Sequence, residues 1–201
     1  MNISYIKKTG KNKLQITLED SEEFIISERE WQRIMPEGSD WIEEDVLSEL
    51  YENYFLPKAK YKALILLKSR DHTREELIRK LKMAGFPNPV IKKTLEYVDS
   101  YHYLDDQRYA ENYIAYRGKY KSRKALLYEL SQKGIDKEIV YETEAFQDNC
   151  DDRASILAIV LKRWGEHPTP DVKEKDRMTR YLARRGFSAN DIFSVYRDLD
   201  I

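Results

Sequence analysis

The sequence predicts a mainly α-helical protein, three tandem three-helix units preceded by a small N-terminal antiparallel β segment with two helices. Three observations carry that prediction. The first is composition: the 201 residues are 41% hydrophobic and 35% charged, with only 7 Gly and 6 Pro, the make-up of helix-rich structure. The second is a change of pattern, from alternating apolar and polar residues in the first fifty-odd positions to helical stripes beyond them. The third is an internal repeat in which "LIRKLKMAGF" (77–86), "LLYELSQKGI" (126–135) and "MTRYLARRGF" (178–187) align without gaps.

At the N-terminus "NISYIKK" and "KLQITLED" alternate as half-buried strands do, with Thr9-Gly10-Lys11-Asn12 as the turn between them. "EEFIIS" supplies a third strand. Ser27-x-x-Glu30 is a capping box, so a short helix starts near Glu28 and stops at Met35-Pro36-Glu37-Gly38. Asp40 is the expected cap of a second helix, "WIEEDVLSELYENYF", whose Trp41, Val46, Leu47, Leu50 and Tyr54 fall on one face. A sheet this small has open edges and needs something to cover them.

From Lys58 the repeat takes over. Leu77, Leu126 and Met178 correspond, then Leu81, Leu130 and Leu182 four residues later, making a stripe on one helix face. Gly85, Gly134 and Gly186 follow, spaced by 49 and 52 residues, and each can take the left-handed conformation that ends a helix. Phe86, Ile135 and Phe187 can then fold back on the last turn. One such unit buries little alone, so neighbours should stack. The expected segments are 1–57, 58–104, 105–150 and 151–201.

In "YLDDQRYAENYIAYR" (103–117), Asp105 is a natural N-cap and Asp106 suits the positive end of the helix dipole; Asp151-Asp152 echo the pair in the third unit. Tyr109, Tyr113, Tyr116 and Tyr120 form one continuous stripe, expected to be core rather than a platform for nucleobases. As a catalytic acid pair the two aspartates are unsuited: adjacent helical residues diverge, and no nucleophile or metal ligand accompanies them.

The net charge of −1 hides a division. Residues 1–57 carry 6 basic and 13 acidic side chains, residues 58–135 carry 18 and 9, and residues 136–201 carry 11 and 14. A basic centre between acidic ends suits a polyanion or an acidic protein surface, although it also describes ordinary solvated helix faces. Thr73 and Ser122 are the expected caps of the short helices. Arg74 and Arg123 come next, with Lys175 at the matching place in the third unit, and a cation there opposes the dipole. Local rules are broken most often at functional sites. Arg70, Arg117, Lys119, Lys121 and Lys124 lie close by in sequence, and the whole group forms the candidate site for phosphates or carboxylates.

"YLDDQRYAENYIAYR" followed by "GKYKSRKALLYELSQKGI" closely resembles the RecX family, small bacterial regulators of the RecA recombinase. The resemblance spans roughly residues 58–200 and is most specific at 101–135; the leading 1–57 resembles an extension carried by some members. The third unit departs from the pattern, with Glu174 where Thr73 and Ser122 stand. The resemblance implies a monomeric protein in the groove of a RecA filament on single-stranded DNA, bridging subunits and modulating, usually lowering, ATP hydrolysis and strand exchange. A DNA-binding helical module is the competing reading, though no helix with a base-reading start is evident.

Other chemistry is sparse. His72, His102 and His167 are far apart and read as surface or capping residues; with Cys150 the only cysteine, no zinc spacing occurs and a reducing, cytoplasmic setting is expected. No apolar run suits a membrane span and no signal peptide is apparent. Trp31, Trp41 and Trp164 read as packing anchors. There is no G-x-x-x-x-G-K-[ST] and no G-x-G-x-x-G, so neither an enzyme nor a cofactor is expected. The purified chain should therefore turn over no ATP by itself; turnover that co-purifies with it and vanishes in a point variant would contradict this.

Overall fold

The first three segments pair as an antiparallel meander, β1 (Ile3–Gly10), β2 (Lys13–Leu18) and β3 (Glu23–Ser27), in spatial order β1-β2-β3. The computed structural model describes residues 1–36, 38–148 and 151–201; Glu37 of the expected turn and Cys150 lie outside them. The alternation works as read in β2 and β3, where Ile16, Leu18, Phe24 and Ile26 turn inward and are buried, but not in β1, which is exposed along nearly its whole length, Tyr5 and Ile6 included. The hairpin turn is tighter than expected. Gly10 already pairs with Lys13, leaving Lys11 and a left-handed Asn12 as the tip.

Ser27 caps α1 (Glu28–Ile34), its hydroxyl accepting from the Glu30 N–H at 3.3 Å. The next element departs from expectation. Asp40 does not start a helix: residues 40–42 run beside the start of β1, where Ile3 N–H donates to Asp40 O at 2.7 Å and Ile42 N–H to Met1 O at 2.9 Å. Trp41 pairs opposite Asn2 and is 52% exposed, so it is no packing anchor. Backbone pairing along an otherwise open edge outcompetes the cap.

The helix begins instead at α2 (Glu44–Glu49), passes through a π-helical turn at Leu50–Phe55 and continues as α3 (Leu56–Ser69). Pro57 explains the π turn: it lacks an N–H and its ring crowds the carbonyl one turn back, and widening the helix there relieves both. Leu47, Leu50 and Phe55 carry this stretch into the core, and Phe55 packs on Phe24 at 5.4 Å between ring centres.

The chain folds as two compact units, Met1–Leu104 and Asp105–Ile201. In the first, α4 (Arg74–Met83) and α5 (Asn88–Ser100) complete a three-helix repeat with α3 around Ala63, Leu77, Leu81, Ile91 and Val98. Gly85 O accepts from Ile25 N–H at 2.8 Å, which closes part of the free edge of β3. Glu22 accepts from the Asn88 amide N–H and side chain at 2.5 and 2.9 Å, capping α5 where Pro87 has no side chain to offer.

The second unit contains α6 (Asp106–Arg117), a 3-10 turn (Gly118–Tyr120), α7 (Arg123–Gln132), α8 (Lys137–Glu142), α9 (Glu144–Asp148), α10 (Asp152–Trp164), α11 (Val172–Ala183) and α12 (Ala189–Asp198). Asp105 caps α6 by accepting from Arg108 N–H at 2.8 Å, and Asp151 caps α10. The closing stretch of the middle repeat is broken at Thr143, which is buried and extended and whose hydroxyl donates to Val140 O.

The three glycines do what the repeat implies. Gly85, Gly134 and Gly186 have φ of 85°, 81° and 91°, and Phe86, Ile135 and Phe187 donate back to Leu81, Leu130 and Leu182 at 3.2, 3.1 and 3.3 Å. The third repeat differs at its other end. α11 starts a turn early, because Asp171 and Glu174 cap each other's backbone N–H groups. Lys175 therefore sits in the second turn of α11 and does not match Arg74 and Arg123.

A Cβ on Gly186 would lie 2.5 Å from Ser122 Oγ and 2.8 Å from Ala125 Cβ. Gly186→Ala should cost about 1–2 kcal/mol for the left-handed backbone and about 1–3 kcal/mol more for the collision. Urea unfolding measures the total; a loss under about 1 kcal/mol would show that α7 yields freely.

Candidate functional site

Asp105 starts α6 and the middle repeat's basic segment ends it. Arg117 is the last residue of α6, Lys119 lies in the 3-10 turn, and Lys121 precedes the Ser122 cap of α7. Ser122 accepts from Ala125 N–H at 3.1 Å while its own N–H donates to Arg185 O at the same distance. The start of α7 is thus clamped to the turn that ends α11.

That clamp makes a cleft of about 360 Å³, with Arg117, Lys121, Arg184 and Arg185 around it and Glu129 and Tyr181 in its wall. Arg185 donates to Tyr120 O at 3.0 Å and lies over the Tyr181 ring at 4.4 Å. Arg184 makes no ion pair among the described residues. Sequence reasoning missed both arginines, because they fall in a segment of net acidic charge. Their signal was positional: they immediately precede the capping Gly186, where a chain docked on its neighbour must come close.

Lys121, one of the candidate cations, is not freely exposed. It is half-buried and paired with Glu129, whose other oxygen accepts from the Tyr113 hydroxyl at 2.6 Å. Burial pushes the Glu129 carboxyl up, but Lys121 and Tyr113 outweigh it and hold it below the usual carboxylate range. Burial, and then the Glu129 carboxylate, push the Tyr113 hydroxyl well above an ordinary phenol.

The tyrosine stripe divides accordingly. Tyr109 and Tyr113 are half-buried and stacked on one another at 6.3 Å, against the core of Ala110, Ile114, Leu126 and Leu130. Tyr116 is 74% exposed and Tyr120 lies at the surface, so the core face ends after one turn and a half. Tyr116 is still within α6, whose buried face runs through Ala110 and Ile114, and Tyr120 ends the 3-10 turn that follows at Gly118.

The remaining candidates are dispersed. Arg70 pairs with Glu76 at 3.2 Å and Arg74 with Asp99 at 2.8 Å, both in the first unit. Arg123 covers the Phe146 ring at 4.3 Å, Lys175 lies 5.7 Å from the Tyr196 ring, and Lys119 and Lys124 are exposed. The expected clash with the helix dipole is answered in both places. Glu75 and Glu76 occupy the first turn of α4, and the Asp152 carboxylate accepts from Arg123 N–H at 2.8 Å. Burial pushes the Asp152 carboxyl up, against the Arg123 amide that favours its charged form. The N-terminal arginines are therefore no longer evidence of function by themselves. His72, read as a surface or capping residue, is only 4% exposed; its Nδ1 lies 2.9 Å from Arg70 O, and burial pushes its pKa down.

Family models for the first, second and third three-helix domains of RecX match residues 59–97, 105–143 and 151–196. The regulatory protein RecX of Serratia proteamaculans is 34% identical over 162 residues, covering 68% of this chain and 95% of that protein. The chain belongs to the RecX family. Its RecX relatives include that of Mycobacterium sp. strain JLS, 35% identical over 139 residues, with 66% of this chain and 76% of that protein covered. A crystal structure of regulatory protein RecX superposes with a TM-score of 0.58 at 20% identity, covering 99% of this chain and 98% of that one, which establishes a shared fold. RecX proteins are regulators without enzymatic activity. Among the described residues no group of His, Cys, Asp and Glu is placed to hold a metal, and no helix is long and apolar enough to cross a membrane.

The Glu129 pair gives a signed pH test. A carboxylate held below its ordinary pKa stabilises the fold above that ordinary value, about 4.3 for Glu, and loses the contribution as pH falls through the folded value. Glu129→Gln should cost about 1–3 kcal/mol at pH 7, and the gap from the wild type should shrink in urea melts at about pH 3. A gap that is unchanged by pH would show that the charge is not what matters.

Proposed function

We propose that this RecX protein acts as a monomer in the cytoplasm, lies in the helical groove of a RecA filament on single-stranded DNA, and lowers ATP hydrolysis and strand exchange. The observation that carries the reading is the cleft where Arg117, Lys121, Arg184 and Arg185 meet, flanked in sequence by the exposed Lys119, Arg123 and Lys124. Such a surface offers charge-assisted hydrogen bonds to phosphates of the bound strand or to carboxylates of RecA. Arg70, Arg74 and Lys175 are assigned supporting contacts. Residues 1–57 form the extension ahead of the repeats 58–104, 105–150 and 151–201.

A DNA-reading module fits less well. The first turn of α7, the helix with most cations at its start, is occupied by Asp152, and its cap is bonded to Arg185. A recognition helix needs that end free to enter a groove.

The test uses cations that make no ion pair among the described residues. Lys119, Arg123 and Lys124 changed together to Gln should cost the fold only the Arg123 contact with the Phe146 ring, about 0.5–1 kcal/mol, and sharply weaken inhibition of RecA ATPase on single-stranded DNA. The salt dependence of binding should flatten, since the Debye length falls from about 10 Å at 0.1 M to about 3 Å at 1 M and such contacts are screened. Binding to naked DNA falls in parallel if phosphate is the partner, and less if a RecA carboxylate surface is. A triple variant that inhibits as well as the wild type at every salt concentration would refute the assignment.

A further inference from the structure

A second concavity, of about 500 Å³, opens beside the basic cleft within the Asp105–Ile201 unit. Its floor is apolar: Ile159 and Trp164 from the last turns of α10, and Met178 and Tyr181 from α11. Its rim is cationic. Lys162, Arg163 and Arg177 surround it, all exposed, and none makes an ion pair among the described residues. The single carboxylate in the lining, Glu174, is committed to the Asp171 N–H in the capping box that starts α11.

We infer that this pocket is a docking site for an acidic peptide segment that inserts one large apolar side chain. Positions 174, 177, 178 and 181 fall at i, i+3, i+4 and i+7, so one face of α11 supplies both the apolar floor and a rim cation. Met178 joins the core of its repeat, while Arg177 and Glu174 on the same face stay exposed at the rim. A thioether and a branched aliphatic chain adapt to an inserted aromatic or aliphatic group, and three unpaired cations around it select a partner with flanking carboxylates.

Single-stranded nucleic acid is the rival occupant, and the ring geometry offers it one exposed ring, Tyr120, rather than a run of stacking faces. Base binding needs an open aromatic face. The Arg185 guanidinium already covers Tyr181 at 4.4 Å, and Trp164 is tilted 41° against Tyr196 at 6.1 Å. The inference goes beyond the filament reading and does not depend on it, because the pocket's rim cations, Lys162, Arg163 and Arg177, are none of the residues assigned to that reading.

The test is fluorescence anisotropy of labelled probes with the full chain and no other protein present. The probes are a short capped peptide of Asp and Glu around a central Phe, the same peptide with Ser in place of Phe, and oligothymidine. The Phe peptide should bind at least ten-fold more tightly than the Ser peptide. Lys162→Glu with Arg177→Glu should abolish that binding, and Tyr120→Ser at the exposed wall should weaken it several-fold, with melting curves unchanged. Equal binding of the two peptides would reduce the site to surface charge and overturn the inference. So would no peptide binding at all, or oligothymidine displacing the Phe peptide while binding more tightly through the same residues. Loss of RecA inhibition in the Lys119, Arg123 and Lys124 variant with peptide binding intact would separate the two sites.

Discussion

Each compact unit contains a contact of one kind on which its assembly depends: a left-handed glycine at a helix end, seated against side-chain atoms of another segment and hydrogen-bonded to it through its own or its neighbour's carbonyl. Gly85 gives its carbonyl to Ile25 and leaves no room for a side chain, since an added Cβ would fall 2.4 Å from Ile25 Cβ. Gly186 meets Ser122 and Ala125 in the same manner, with the carbonyl of the preceding Arg185 accepting from Ser122. The glycine serves two purposes at once, ending its own helix through φ and permitting the close approach that satisfies a neighbour's N–H. In the first unit the neighbour is a strand, in the second a helix cap. The basic cleft exists because this contact brings Arg184 and Arg185 beside Arg117 and Lys121.

Charge in the middle of the chain is less available than its sequence suggests. Arg70, Arg74 and Lys121 are engaged by Glu76, Asp99 and Glu129. Arg123 and Arg185 lie over aromatic rings, where their planar groups are partly desolvated and oriented. What remains for a partner is a smaller set, mostly in the second unit, in which short side-chain reach and a shaped cleft matter more than total charge.

The fold was legible wherever a local rule had no long-range competitor. β2 and β3 could be read because burial on one face enforces alternation, and the repeats because two apolar residues and a Gly at fixed offsets describe a complete helix end. Asp40 was misread because residues 40–42 pair with Met1 and Ile3, some forty positions away, and no local pattern reports that. Lys175 was aligned correctly by Gly186 but wrongly by cap, since the Asp171–Glu174 pair starts α11 earlier than its counterparts. For the site, the middle repeat's cations were visible as a run, whereas Arg184 and Arg185 joined them only through the fold. Lys121 looked like its neighbours in sequence; only the placement of Tyr113 and Glu129 one face away made it structural.

The unbroken passage from α2 through the π turn into α3 bears on how this architecture could have been acquired or lost. The sheet is not a bead on a string, because Phe86 of the first repeat packs into both hydrophobic clusters of its unit and Phe55 sits where the two meet. Without the first fifty-odd residues these rings would be exposed and the Gly85 carbonyl would lose its partner, so the first repeat needs a different surface when it stands alone. Gain or loss of the extension is therefore a coupled change in two places of the gene, and the residues aligned with Phe86 and Val90 should record which ancestors carried it.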